Sequence, residues 1–218
     1  MARIYPIRAG AWTLLLAVLF MLSVGNIPAT EKNVTPKNLL ILGDSLAAGY
    51  GINREEAFPA LLQKKIETAK LPYRIVNGGV SGDTTAGGLR RIDWMLKQPV
   101  DVLIVELGGN DGLRGIPPAE TKKNLQGIID KAKQKYPQVR VVIAGMQMPP
   151  NMGEDYTKAF AEVFPAVAKA NQATLIPFLL EGVGGQADLN QPDGIHPTPK
   201  GHEVVAENVW KVLAPVLK

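Results

Sequence analysis

Four stretches of the chain hold residue types that together could transfer an acyl group. In ILGDSLAAGY, residues 41–50, an apolar run passes straight into Gly43-Asp44-Ser45 and then into small residues. Gly, Asp and Ser are common turn formers, so one reading is a plain turn. The other is a serine nucleophile delivered at the end of a strand. A serine hydroxyl is a weak nucleophile until a base takes its proton. The chain holds two histidines. His196 lies in the turn-rich stretch DGIHPTPKGH, which also holds Asp193. A D-x-x-H turn lets the carboxylate reach back to the imidazole, hold its tautomer and stabilise the imidazolium formed on proton transfer. Alternatively, Asp193 caps its own backbone in a tight loop. His202 falls inside the last helical pattern and is expected on or near that helix's surface. Acyl transfer also needs donors where the oxyanion develops. The backbone N–H groups of Ser45 and Gly82 and the side-chain amide of Asn110 are candidates. Taken singly, Gly82 also reads as a turn glycine and Asn110 as an Asx-turn residue.

These residues can meet only if regular elements carry them to one place. Short apolar runs alternate with longer amphipathic ones along the chain. Strands are expected at 38–42, 73–77, 100–107, 139–146 and 174–178. Helices are expected at 57–70, 84–98, 118–136, 154–171 and 198–217. In the helix at 84–98, Leu89, Ile92, Leu96 and also Trp94 and Met95 are candidates for the inner face, and Pro165 is expected to kink or break the helix at 154–171. Strands interleaved with helices imply parallel pairing through crossovers. Continuously apolar strands imply a sheet covered on both faces. The expected fold is α/β: a three-layer α/β/α sandwich around a central, approximately five-stranded parallel sheet. Ligands in such folds sit beyond the C-terminal ends of the strands. Ser45, Gly82, Asn110 and the Asp193–His196 loop all follow strand ends. Asp44 reads as loop structure rather than chemistry.

Bulk composition narrows the partners. The chain has 218 residues, 46% apolar, enough for one packed domain. Its net charge of +4 falls to about +2 without Arg3 and Arg8, too little for a nucleic-acid footprint. Cysteine is absent, which excludes a thiolate nucleophile, a Cys-ligated zinc and a disulfide framework. The N-terminus places two arginines before an apolar run at 9–25, followed by small residues ending at Ala29. This is the order of a secretory signal, and the run is short of the ~20 residues that span a bilayer. Residues 1–29 are therefore expected to be a signal peptide or an N-terminal anchor, 30–37 a polar lead-in and 38–218 the catalytic domain. The domain is expected in the periplasm or secreted, without stable membrane insertion once mature.

GDSLAAGYG, VSGDTTAGGLRR, VELGGNDGLRG and DGIHPTPKGH, in that order, resemble the four sequence blocks of the SGNH, or GDSL, hydrolase superfamily. The longer stretches are similar to its bacterial periplasmic esterase, thioesterase and lysophospholipase members. The resemblance runs from about Asn38 to the C-terminus. It implies Ser45 as nucleophile, His196 as base, Asp193 as its partner, and an oxyanion hole of Ser45, Gly82 and Asn110. It also implies acyl ester, thioester or lysophospholipid substrates, no metal or other cofactor, and a monomer. The apolar residues Leu113, Ile116, Met148 and Pro149 are the expected substrate contacts. A carbohydrate esterase on the same fold is the alternative, with a non-catalytic binding module further behind.

Overall fold

A run of consecutive apolar residues has no face to give to water, so it must be covered on both sides. Leu39 to Leu42 and Val102 to Val105 are such runs, and all eight residues are at most 1% exposed. The computed structural model describes residues 1–3 and 35–218. The stretch 4–34, which holds most of the expected leader and lead-in, lies outside them. Thr35–Lys218 forms one compact unit.

Its order is β1 (Lys37–Gly43), α1 (Ser45–Ala48), α2 (Phe58–Thr68), β2 (Tyr73–Gly79), α3 (Thr85–Met95), β3 (Val102–Glu106), α4 (Gly109–Leu113), α5 (Pro118–Lys135), β4 (Arg140–Ala144), α6 (Glu154–Ala161), α7 (Val163–Asn171), β5 (Thr174–Ile176) and α8 (Pro199–Leu217). The strands form one sheet in the order β2-β1-β3-β4-β5, and every pairing is parallel. This is the doubly wound order of flavodoxin-like sheets, in which ligands bind beside the strand where the order reverses. Here that strand is β1, and Ser45 follows it. Helices α2 and α8 pack together on one face, and α3, α5 and α7 form a row on the other. The register sets Gly43 beside both Gly79 of β2 and Glu106 of β3.

The expected helix at 154–171 is two helices, divided at Glu162. Pro165 has no N–H for the Ala161 carbonyl, and its ring crowds that group, so the ladder breaks one turn upstream. Trp94 does not face the core: it is 66% exposed. The inward stripe of α3 includes Ile92 and continues at Leu96. A residue two positions from each projects from the opposite side of the helix. His202 is also not where the sequence pattern put it, since it is only 1% exposed. The first N–H groups of a helix lack intrahelical acceptors. That of Phe58, at the start of α2, donates to His202 Nδ1 at 3.2 Å, and the two rings stack 6.3 Å apart. The buried histidine thus completes the end of a neighbouring helix.

Burial, helped by the nearby charge of His196, pushes the His202 pKa down to about 4. His202→Leu should cost about 1–3 kcal/mol at neutral pH by orphaning the Phe58 N–H, read as a lower urea midpoint. Toward pH 4 the unfolded chain takes up a proton that the folded imidazole refuses, so the wild type loses stability that the variant does not. The gap between them should therefore narrow with acidification. A gap that widens would contradict a neutral buried imidazole.

Candidate active site

β1 ends at Gly43, and Asp44 caps the single turn of α1 by accepting the Leu46 N–H at 3.0 Å. Ser45 is thus the first residue of a short helix that Gly49 ends with a φ of 73°. Gly79 lies so close to this turn that a Cβ on it would sit 2.4 Å from the Ala48 nitrogen. The next segment is tied in by the Val80 N–H, which donates to the Gly43 carbonyl at 3.0 Å.

The loop between β5 and α8 brings the imidazole to this serine. His196 Nε2 lies 3.0 Å from Ser45 Oγ, and His196 Nδ1 lies 2.7 Å from Asp193 Oδ2. A carboxylate only accepts, so Nδ1 carries the proton and Nε2 is left to accept from the hydroxyl. Asp193 Oδ1 meanwhile accepts the backbone N–H groups of Ile195 and His196 at 2.9 and 3.0 Å. These backbone bonds and the imidazole hold the Asp193 pKa down to about 2, so it is ionised throughout the neutral range. Gln191 fastens the loop: its N–H donates to the His196 carbonyl at 2.7 Å and its side chain to the Tyr50 carbonyl at 2.8 Å. The Tyr50 ring packs 4.6 Å from the imidazole, tilted by 40°. Both of the alternatives open for Asp193 in the sequence therefore coexist, the tight turn and the reach to the ring.

Asn110 enters from a third strand end, in α4 after β3. The next residue anchors it: Asp111 is fully buried, accepts the Thr85 N–H at 2.8 Å, and also bonds the Thr85 and Thr121 hydroxyls. Asn110 Nδ2 donates to Asp44 Oδ2 at 3.2 Å. Asp44 does shape the loop, as expected, and it also holds this amide.

Ser45, Asn110 and His196 line one cavity of about 590 Å³. Its wall is largely apolar and includes Leu113, Met148 and Pro149, together with Phe178 and Leu180, which the sequence pattern had not singled out. Ile116 is not part of that wall. After α4 the chain reverses at Gly115 (φ 66°), and Ile116 is held by its backbone: its N–H donates to Asp111 and its carbonyl accepts the Tyr156 hydroxyl at 2.8 Å. Gly82 also lies outside the cavity lining. It has a φ of 78°, and its carbonyl accepts from Arg114 Nη2 at 2.9 Å. Among the described residues, no cluster of three or more His, Asp or Glu side chains is arranged to hold a metal ion, and no helix is long and apolar enough to cross a membrane.

Glu106 escaped sequence reading because it sits at the end of an otherwise apolar strand. It is fully buried, and its Oε2 accepts the Asp44 N–H at 3.1 Å. Arg91, inside one of the motif blocks, ties two strand ends together by donating to the Gly78 and Gly43 carbonyls at 2.7 and 2.9 Å.

Residues 41–204 match the model of the GDSL-like lipase/acylhydrolase family. The chain is 44% identical over 187 residues to Esterase TesA of Pseudomonas aeruginosa, covering 85% of this chain and 92% of the relative. It is 40% identical over 190 residues to thioesterase 1/protease 1/lysophospholipase L1 of Escherichia coli strain K12, covering 86% and 88%. A crystal structure of TesA superposes with a TM-score of 0.80 at 42% identity, covering 83% of this chain and 99% of that one.

The glycine of Gly-Asp-Ser has a steric cause at this site. A Cβ on Gly43 would lie 2.4 Å from Glu106 Oε2 and 2.6 Å from the Ala47 Cβ. Gly43→Ala should cost about 1–3 kcal/mol through overpacking, measured as a lower denaturant midpoint. An unchanged midpoint would mean that the buried carboxyl swings aside freely.

Proposed function

The chain belongs to the GDSL-like lipase/acylhydrolase family, and on that premise we propose that it hydrolyses acyl esters and thioesters through an acyl-enzyme on Ser45. The observation that carries this reading is the hydrogen-bonded row Ser45–His196–Asp193, with spacings of 3.0 and 2.7 Å. His196 Nε2 takes the hydroxyl proton as Ser45 Oγ attacks the carbonyl carbon. The ionised Asp193 stabilises the imidazolium. Ser45 and Asn110, which line the cavity, offer the oxyanion a backbone N–H and a side-chain amide, and the Gly82 N–H, whose residue lies outside that lining, is the third donor that the family resemblance implies. His196 then protonates the departing alcohol or thiol. Water, deprotonated by the same imidazole, attacks the acyl-enzyme and frees Ser45. Each group comes from one chain, which supports a monomer as the working unit.

The apolar wall of Leu113, Met148, Pro149 and Phe178 suits an acyl chain, and methionine adapts to chains of different length. The names of the relatives point the same way, toward esters, thioesters and lysophospholipids. With p-nitrophenyl esters of two to sixteen carbons and acyl-CoA, the wild type should turn over medium and long chains. Ser45→Ala should abolish both turnover and labelling by a fluorophosphonate. Labelling that survives in Ser45→Ala would remove Ser45 as nucleophile. Acetylated xylan as the better substrate would overturn the substrate class.

The same reading places residues 1–29 as a leader and 38–218 as the extracytoplasmic catalytic domain. The mass of the chain recovered from the periplasm should correspond to a start near Thr30. A full-length mass recovered with the membranes would leave an uncleaved anchor instead.

A further inference from the structure

The geometry points to Asp44 as a positioning residue for the oxyanion donor: its carboxylate holds the Asn110 side chain with its nitrogen, not its oxygen, turned into the site. This inference rests on the reading of Asn110 as an oxyanion donor. A primary amide presents an acceptor at one end and two N–H donors at the other, and the two ends have nearly the same shape. Something must choose between them. An ionised carboxylate only accepts, so facing the amide oxygen would be repulsive and facing the nitrogen is favourable. Asp44 Oδ2 sits 3.2 Å from Asn110 Nδ2. One N–H is thereby used, and the second is left for the substrate oxygen.

Asp44 is itself held rigidly. It is 2% exposed. Its other oxygen accepts the Leu46 N–H, and its own N–H is bound by Glu106. Glu106 lies behind it with no water contact, and its Oε1 has no partner among the described residues. Burial, reinforced by the charge on Asp44, pushes the Glu106 pKa well up. Burial pushes Asp44 up only to about 6, because the Leu46 N–H and the Asn110 amide oppose it. Of the two acids, the one facing Asn110 is therefore the first to ionise. Asp44 thus has a task beyond shaping its turn, and that task does not require it to touch substrate.

Two variants separate the task from the cap. Asp44→Asn is nearly isosteric but offers either end of an amide to Asn110, so the selection is lost. Asp44→Ser retains a short cap acceptor for the Leu46 N–H but cannot span to Asn110. Each should lower kcat for a p-nitrophenyl ester about 10–100-fold, since a misaimed donor forfeits transition-state stabilisation. KM should change less than about threefold, because the effect falls on the transition state. Asn110→Ala should lower kcat about 10²–10³-fold. The deciding measurement adds each Asp44 change to Asn110→Ala. If Asp44 acts through Asn110, the second change should cost less than about twofold. Losses that multiply would overturn the positioning role while leaving Asn110 as a donor. An Asn110→Ala enzyme with normal kcat would instead remove the donor and, with it, anything for Asp44 to position. Thermal unfolding of each variant identifies misfolding. If Asp44→Asn does not fold, Asp44→Ser carries the cycle.

Discussion

All five strands run in the same direction, and the site exists because of that constraint. Parallel pairing puts every strand's C-terminal end on one edge, so residues far apart in the chain emerge side by side. Ser45 follows β1, Asn110 follows β3, and the His196 loop follows β5. The hydrogen bond from Ser45 to His196 closes a separation of 151 residues. No local interaction could bring these groups together, and small shifts in register would separate them. The apolar strand interiors that fix the register therefore also fix the chemistry, although none of them touches a substrate.

Rigidity at the edge comes from buried polar groups. Each strand end needs partners for its last backbone groups, because unpaired ones cost free energy when buried. Arg91 meets two of them at once, on β1 and β2, while pairing with Asp83 at 2.7 Å. Asp111 does the same work for α4, joining it to the start of α3 and to Thr121 of α5. Gln191 joins the histidine loop to the segment just after the nucleophile. The site is held by three separate fasteners, one for each chain segment that enters it.

Two aspartates near Ser45 show how environment divides labour between identical side chains. Asp193 is 37% exposed at its side chain and accepts several N–H groups, which push its pKa down to about 2. Asp44 is buried, and its pKa rises to about 6. Asp193 can therefore support a developing imidazolium without changing charge. Asp44 ionises before the acid behind it, Glu106, whose burial raises its pKa further. Gly43 is explained by the same cluster, since any side chain there would occupy the space of the Glu106 carboxyl.

Much of this was legible in the sequence, for definable reasons. Continuous apolar runs reveal strands covered on both faces, and their alternation with amphipathic segments reveals parallel crossovers. The residues Ser45, Asn110, Asp193 and His196 stand out because Gly, Asp, Asn and His at strand ends have few structural uses in combination. Other features were invisible because they depend on partners distant in the chain. Glu106 looks like a stray charge closing an apolar strand until Gly43 and Asp44 are placed beside it. His202 stands on the apolar stripe of α8 with Val205, Ala206 and Val209, but a polar ring there reads as a surface residue until the docked N-terminus of α2 supplies the N–H that makes its burial favourable. Ile116 resembles its pocket-lining neighbours in composition, but the reversal at Gly115 turns its stretch toward backbone anchoring. The sequence by itself determined which elements form and which groups stand at their ends, because periodicity and turn chemistry are local. The tertiary structure alone decided which of the two buried acids ionises first, that His202 is buried and which way the Asn110 amide faces, because charge state and hydrogen-bond direction depend on neighbours that only folding brings near.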